Sequence, residues 1–158
     1  MSKEVNALGR KIIADRLKRM CCSYFGHLRY GCFLEVGVAA WGRRRADFVA
    51  LKISGEIVIV EIKSGMADFK ADHKYEEYIP HCNRLYFCFP YPMDVTLPDG
   101  VGVLVPSANG YLRVLRKAKH RPMAGRDRRN LVLRLAWRAA TYSKRTNPRR
   151  VKLYLTNV

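Results

Sequence analysis

Asp47-Phe48-Val49-Ala50-Leu51-Lys52-Ile53-Ser54-Gly55-Glu56-Ile57-Val58-Ile59-Val60-Glu61-Ile62-Lys63 is the stretch that decides the fold. Two apolar runs, 48–53 and 57–63, flank a Ser54-Gly55 break, which is the pattern of a β-hairpin. Both runs are apolar on both faces, so they read as central strands covered on each side rather than as a half-wet edge. Glu61 and Lys63 interrupt the second run. Charges at such a place must be paired, metal-bound or set at an open mouth, because a bare buried charge is strongly unfavourable.

Asp47 and Glu61 together can hold a hard divalent cation through carboxylate oxygens. Lys63 stands two residues beyond Glu61 and so projects from the same face of the strand. An ammonium there can orient a water or neutralise charge that develops on a phosphate. The hairpin sets a condition. A two-residue loop at Ser54-Gly55 pairs Asp47 with Ile62 and splits the two carboxylates between opposite faces. A three-residue loop, Ser54-Gly55-Glu56, pairs Asp47 with Lys63 and keeps all three groups on one face. A bulge near Asp47 does the same. The shared-site reading therefore requires an odd loop or a bulge. The spacing of Asp47 from Glu61-Ile62-Lys63 resembles the active site of the PD-(D/E)XK nuclease superfamily, with Ala46 where that motif carries proline.

At 158 residues the chain makes one domain with a sizeable core. The charge is unusual: 30 Lys+Arg against 13 Asp+Glu, a net +17. It is also uneven. Residues 1–110 hold 15 basic and 12 acidic residues, whereas residues 111–158 hold 15 basic residues and Asp127 as their one acid. Such a balance points to a polyanion, usually nucleic acid, and the nuclease resemblance makes DNA the expected partner. The sequence thus divides into a nuclease-like core, 1–116, and a basic C-terminal extension, 117–158, packed on it or appended to it. No apolar run is long enough for a membrane span, no secretory leader is visible, and five cysteines without a C-x-x-C pair read as reduced thiols. The expectation is a cytoplasmic protein without a membrane partner.

The flanking elements follow from periodicity. Val5, Leu8, Ile12, Ile13, Leu17 and Met20 predict an amphipathic helix with a basic outer face, followed by a connection bracketed by Gly26 and Gly31. Residues 33–39 read as a first strand carrying Glu35, and Trp41-Gly42-Arg43-Arg44-Arg45 as the turn into the Asp47 strand. After Lys63, a helix capped by Asp68 and ending at Ile79-Pro80 leads to a strand, 84–89, parallel to its neighbour. Two further runs, 101–105 and 111–115, flank Asn109-Gly110, a hairpin turn. A helix from about Asp127 to Ser143 places Leu131, Leu135, Ala139 and Tyr142 on one stripe and Arg134, Arg138 and Arg145 on another. Val151 to Leu155 read as an edge strand or a mobile tail.

Glu35, Arg45-Ala46-Asp47, Glu61-Ile62-Lys63-Ser64-Gly65, Asp68-Phe69, Asp72, Lys74, Tyr78 and Cys82-Asn83-Arg84-Leu85-Tyr86-Phe87 together are similar to the MmcB-like DNA repair family over residues 33–116. Tyr75 and Asn83 stand where that family's pattern has tryptophan and aspartate. The resemblance implies an α/β, restriction-endonuclease-like mixed β-sheet core flanked by helices. It also implies a magnesium site (manganese substituting) and a role in DNA repair or recombination. Carried over, Asp47 and Glu61 become the metal ligands, Lys63 the group beside the attacking water, and Glu35 a further acidic member. Arg43, Arg44, Arg45, Lys74, Arg134 and Arg138 are the candidate phosphate contacts. A symmetric homodimer would let two such sites cut both strands. Two alternatives stand beside this one: a nucleic-acid-binding protein of the same fold that cuts nothing, and a structural ion-pair cluster at Asp47, Glu61 and Lys63 with the basic segment docking on an acidic partner.

Overall fold

The structure, a computed structural model, describes residues 3–39, 44–71 and 75–146. Trp41, Arg43, Asp72, Lys74, the side chains of Tyr142 and Arg145, and the 151–155 segment lie outside the described residues. The elements run α1 (Lys3–His27), β1 (Tyr30–Gly37), β2 (Arg45–Lys52), β3 (Ile57–Ile62), α2 (Met66–Ala71), a 3₁₀ segment (Tyr75–His81), β4 (Arg84–Cys88), β5 (Gly102–Pro106), β6 (Leu112–Arg116) and α3 (Gly125–Thr146). The strands form one six-stranded sheet in the order β1-β2-β3-β4-β5-β6. β1, β2 and β3 are antiparallel neighbours, β3, β4 and β5 are parallel, and β6 returns antiparallel to β5. This is the mixed sheet flanked by helices that the sequence implies.

Every residue of β3 is buried, as a strand apolar on both faces requires. Ile57 and Ile59 join Val49, Leu85 and Phe87 in a core closed by Leu131 and Leu135 of α3. Val58, Val60 and Ile62 face the other way, against Leu17, Cys21 and Phe25 of α1. The basic C-terminal segment therefore covers one face of the sheet with its first helical turns. Ala139 is exposed, so the apolar stripe of α3 ends earlier than its spacing suggests.

Several boundaries differ from the sequence expectation. α1 runs through Gly26 to His27, and β1 begins at Tyr30, before Gly31. Leu8 and Ile12 remain exposed while Leu17, Cys21 and Phe25 are buried. A 25-residue helix spans about 37 Å at ~1.5 Å per residue, longer than strands of five to eight residues at ~3.3 Å each, so its N-terminal half overhangs the sheet. The single helix expected over 68–79 is instead α2 followed by a 3₁₀ segment that contains Pro80. Proline has no N–H to give an α-helix interior. Asp68 sits in the first turn of α2 rather than at its cap. It accepts hydrogen bonds from the Ser64 N–H at 2.9 Å and hydroxyl at 3.0 Å, a reach-back onto the helix start.

The hairpin loop is odd, as the shared-site reading requires, but it is Ile53-Ser54-Gly55. Phe48 pairs with Val60 and Leu51 with Ile57, and the Lys52 N–H donates to the Glu56 carbonyl at 2.9 Å. Gly55 takes φ +85°, which a residue with a Cβ adopts at a cost, and this fixes glycine as the last loop position. The register therefore runs on to set Asp47 opposite Glu61, not opposite Lys63. The β5–β6 loop repeats the device: the Ser107 N–H bonds the Tyr111 carbonyl, and Gly110 takes φ +79°.

Two consequences for stability are measurable. A Cβ on Gly102 would fall 2.4 Å from two Tyr86 ring carbons and 2.7 Å from the Ala118 amide nitrogen. Gly102→Ala is expected to cost about 1–3 kcal/mol or more in urea unfolding, because the backbone must move. At the loop end of the sheet, Arg84 Nε and the Tyr30 hydroxyl both donate to Glu56, each at 2.8 Å. Burial pushes the Glu56 carboxyl up, but these hydrogen bonds and the Arg84 charge together bring it below its ordinary value. A carboxyl lowered by folding stabilises the fold above its unfolded pKa of about 4.3, and the benefit fades as pH falls through the folded value. Urea midpoints of the wild type and Glu56→Gln should therefore converge below about pH 4.3, with the wild type ahead at neutral pH.

Candidate active site

Beyond the Phe48–Val60 pair, side chains take over the links between β2 and β3. The Ile62 N–H donates to Asp47 Oδ2 at 2.9 Å, and the Asp47 N–H donates to Glu61 Oε1 at 3.3 Å. Each carboxylate is thus held by a main-chain N–H of the opposing strand. Lys63 Nζ lies 3.9 Å from Glu61 Oε2, an ion-pair separation longer than a hydrogen bond, and 5.9 Å from the centre of the Phe87 ring. Glu61 and Lys63 are 4% and 6% exposed, while Asp47 is half-buried. Asp47, Glu61 and Lys63 come together as their spacing suggests.

Glu35 joins them from β1. Following the β1–β2 register, it falls opposite Asp47, between the Leu34–Phe48 and Val36–Ala46 pairs. Its φ is +53°, in the left-handed region, where a non-glycine residue is strained by about 1–3 kcal/mol. The strand's alternation breaks there: Phe33 and Val36 pack on the α3 side of the sheet, with Leu34 on the α1 side. Three cations hold this residue in place. Lys18 of α1 and Arg45 pair with its carboxylate, the latter at 2.9 Å, and Arg138 of α3 donates to its carbonyl at 2.8 Å.

The electrostatics fit a confined acidic site. Burial pushes the Asp47 carboxyl above its ordinary value, and the Glu35 charge adds to this; the Ile62 N–H, Lys63 and Lys18 pull against it without cancelling it. Burial alone would lower the Lys18 ammonium, but its hydrogen bond and charge interaction with Glu35, helped by Asp47, raise it. Lys18 is the member of this cluster that sequence reading missed. It lies among the basic residues of an amphipathic helix, 17 positions from Glu35, and no local pattern announces the contact.

The candidate phosphate contacts are more dispersed. Arg44 forms a two-pronged pair with Glu77, and Arg45 is exposed beside Glu35. Arg134 donates to the carbonyls of Gly37 at 3.3 Å and Ala39 at 2.7 Å. Arg134 and Arg138 thus clamp the distorted end of β1 onto α3. Arg43 and Lys74 lie outside the described residues. Tyr78 is buried and donates its hydroxyl to the Arg45 carbonyl at 3.0 Å, anchoring the start of β2. Asn83 sits at the opposite end of β3 and β4, where its amide accepts from the Ile57 N–H and donates to the Arg121 carbonyl, both at 2.9 Å. An aspartate there would lack the second bond.

The donor set suits a small hard cation that keeps most of its own waters, since such an ion needs only one or two carboxylates from the protein. Asp47 and Glu61 supply two. Among the described residues, no three His, Cys, Asp or Glu side chains converge as a complete protein-only ligand set.

A six-stranded mixed sheet flanked by helices, with acids and a lysine gathered on adjoining strands, is an α/β fold consistent with a nuclease-like core. At family level, residues 8–148 match the MmcB-like DNA repair proteins, and the chain belongs to that family. The match extends on both sides of 33–116 and takes in α3. A solved structure from Silicibacter pomeroyi, of a protein of unknown function, has the same fold with a TM-score of 0.75 and 27% identity; the similarity covers 86% of this chain and 92% of that one. No curated protein matches the chain. Family membership ties the chain to DNA repair. Among the described residues, no helix is long and apolar enough to cross a membrane.

Proposed function

We infer that this protein is a metal-dependent DNA nuclease of the PD-(D/E)XK superfamily. The observation that carries the reading is the pairing of Asp47 with Glu61 across β2 and β3, with Lys63 on the same face as Glu61. Asp47 and Glu61 would hold a magnesium ion, which when bound supplies Lewis-acid polarisation of the scissile phosphate and a more acidic water. Lys63 orients that water and offsets the charge added to the phosphate. Phe87, beneath the Lys63 ammonium, shields it from bulk water and strengthens its field. Glu35 positions Lys18 and Arg45 beside Asp47, and the exposed Arg45 meets a backbone phosphate. The net +17 supplies sequence-independent affinity for DNA. We place the candidate catalytic residues within the core, 1–116, with the basic segment beyond it packed on that core through Leu131 and Leu135 and turning its outer, arginine-rich face to DNA.

The test is wild-type protein on duplex, single-stranded, flapped and four-way DNA, in magnesium, in manganese and in chelator. Cleavage of at least one substrate that stops with chelator is the expected result. Binding to every substrate with no cleavage in either metal contradicts the nuclease and leaves a DNA-binding protein of the same fold. One observation favours another alternative, a structural ion pair: Glu61 and Lys63 are almost fully buried. That alternative predicts that Asp47, which is less buried, can be replaced without loss of any DNA-dependent activity.

A further inference from the structure

α3 has an outer face that neither the core nor the candidate site uses. Trp137 is 75% exposed and Leu133, one turn before it, is 61% exposed. At about 100° per residue, Arg126, Arg129 and Asn130 fall on that same face, and all three are exposed. Leu131 and Leu135 occupy the opposite, buried face. Trp137 and Leu133 together make an apolar patch rimmed by charged residues, the character of a binding surface. The charge around it selects the occupant: residues 126–138 carry five arginines and one acid. Arg138, the next residue, touches the backbone of Glu35, so the patch lies beside the candidate site.

We propose that Trp137, backed by Leu133 and flanked by Arg126 and Arg129, is a stacking platform for an unpaired nucleobase of single-stranded DNA. A flat aromatic beside cations binds a base by its π-face and the neighbouring phosphates by charge, without reading sequence. In duplex DNA the base faces are already stacked, so duplex offers only its phosphates to this surface. The proposal rests on the DNA-processing reading above and gives that reading a substrate class: DNA with a single-stranded segment next to the scissile bond.

The experiment measures fluorescence-anisotropy binding of labelled oligothymidylate and of a duplex of equal length, in chelator, so that cleavage plays no part. Trp137→Ala is expected to weaken single-strand binding about ten- to hundredfold, the range that loss of one stacked base gives, and to leave duplex binding unchanged. Trp137→Phe should retain most of the affinity. Equal losses on both DNAs, or no loss on either, overturn the proposal. A concentration-dependent dimer that Trp137→Ala renders monomeric also overturns it, assigning the patch to a second copy of this chain. If single-strand binding depends on Trp137 while the wild type cuts nothing, the platform stands and the nuclease reading fails.

Discussion

Asp47→Asn is expected to abolish metal-dependent DNA cleavage, by about a hundredfold or more, while leaving DNA affinity intact and making the fold more stable at neutral pH. The first part follows from removing a charged ligand at the proposed metal position. The second follows from the basic surface, which the change barely alters. The third follows from burial. Folding raises the Asp47 carboxyl above its unfolded value, so the folded protein carries an ionised group in a place that disfavours ionisation. For an acid raised by folding, that cost is fully present above the folded pKa and disappears as pH falls toward the unfolded value near 3.9. Asparagine removes the charge and still offers an oxygen to the Ile62 N–H, which now binds Asp47 at 2.9 Å. Thermal unfolding at pH 7 and at pH 4 should show a gain for the variant that shrinks at the lower pH. A variant less stable than the wild type at neutral pH would mean that Asp47 is a structural partner rather than a strained functional group.

The second large effect belongs to Lys63. Its ammonium is the cation paired with Glu61, and both groups are almost wholly out of water. Lys63→Met keeps the stem's volume but takes the ammonium away from a buried carboxylate, and breaking a buried pair in this way costs about 3–5 kcal/mol. Adding Glu61→Gln removes the buried charge itself, so the double variant should recover most of the loss in urea unfolding and show a strong coupling energy. Both variants should fail to cut. Recovered stability without recovered activity separates the chemical role of the pair from its structural one. A loss below about 1 kcal/mol for Lys63→Met would place the pair in contact with water, as for a surface bridge.

Much of the sheet was legible because its signals are local. The apolar runs around Gly55, the Asn109-Gly110 turn and the strand after the 66–81 segment announce themselves through periodicity and turn chemistry. The trio at Asp47, Glu61 and Lys63 was legible for the same reason: two strands joined by a short loop fix which residues face each other, to within one position. The loop assignment slipped by one because glycine's place within a three-residue loop depends on its φ, and spacing alone does not show that. Glu35's backbone was not legible. Its left-handed φ has no local signal, and of the cations that converge on Glu35, Lys18 and Arg138 lie 17 and 103 positions away, while Arg45 stands on the next strand. Nor was the engagement of Arg134 and Arg138, since a helical stripe of arginines looks the same whether it meets phosphates or the protein's own carbonyls. The overhang of α1 depends on helix length against sheet width, a tertiary quantity.

Asp47 and Glu61 are proposed to hold jointly the cation on which cleavage depends. Manganese binding followed by electron paramagnetic resonance in the wild type, Asp47→Asn and Glu61→Gln, with cleavage of flapped DNA scored in the same samples, decides whether they do. One bound ion in the wild type, weakened binding in both variants and cleavage that falls in step are the expected results. Binding and cleavage that persist in both variants would contradict that joint role and move the chemistry elsewhere on the molecule.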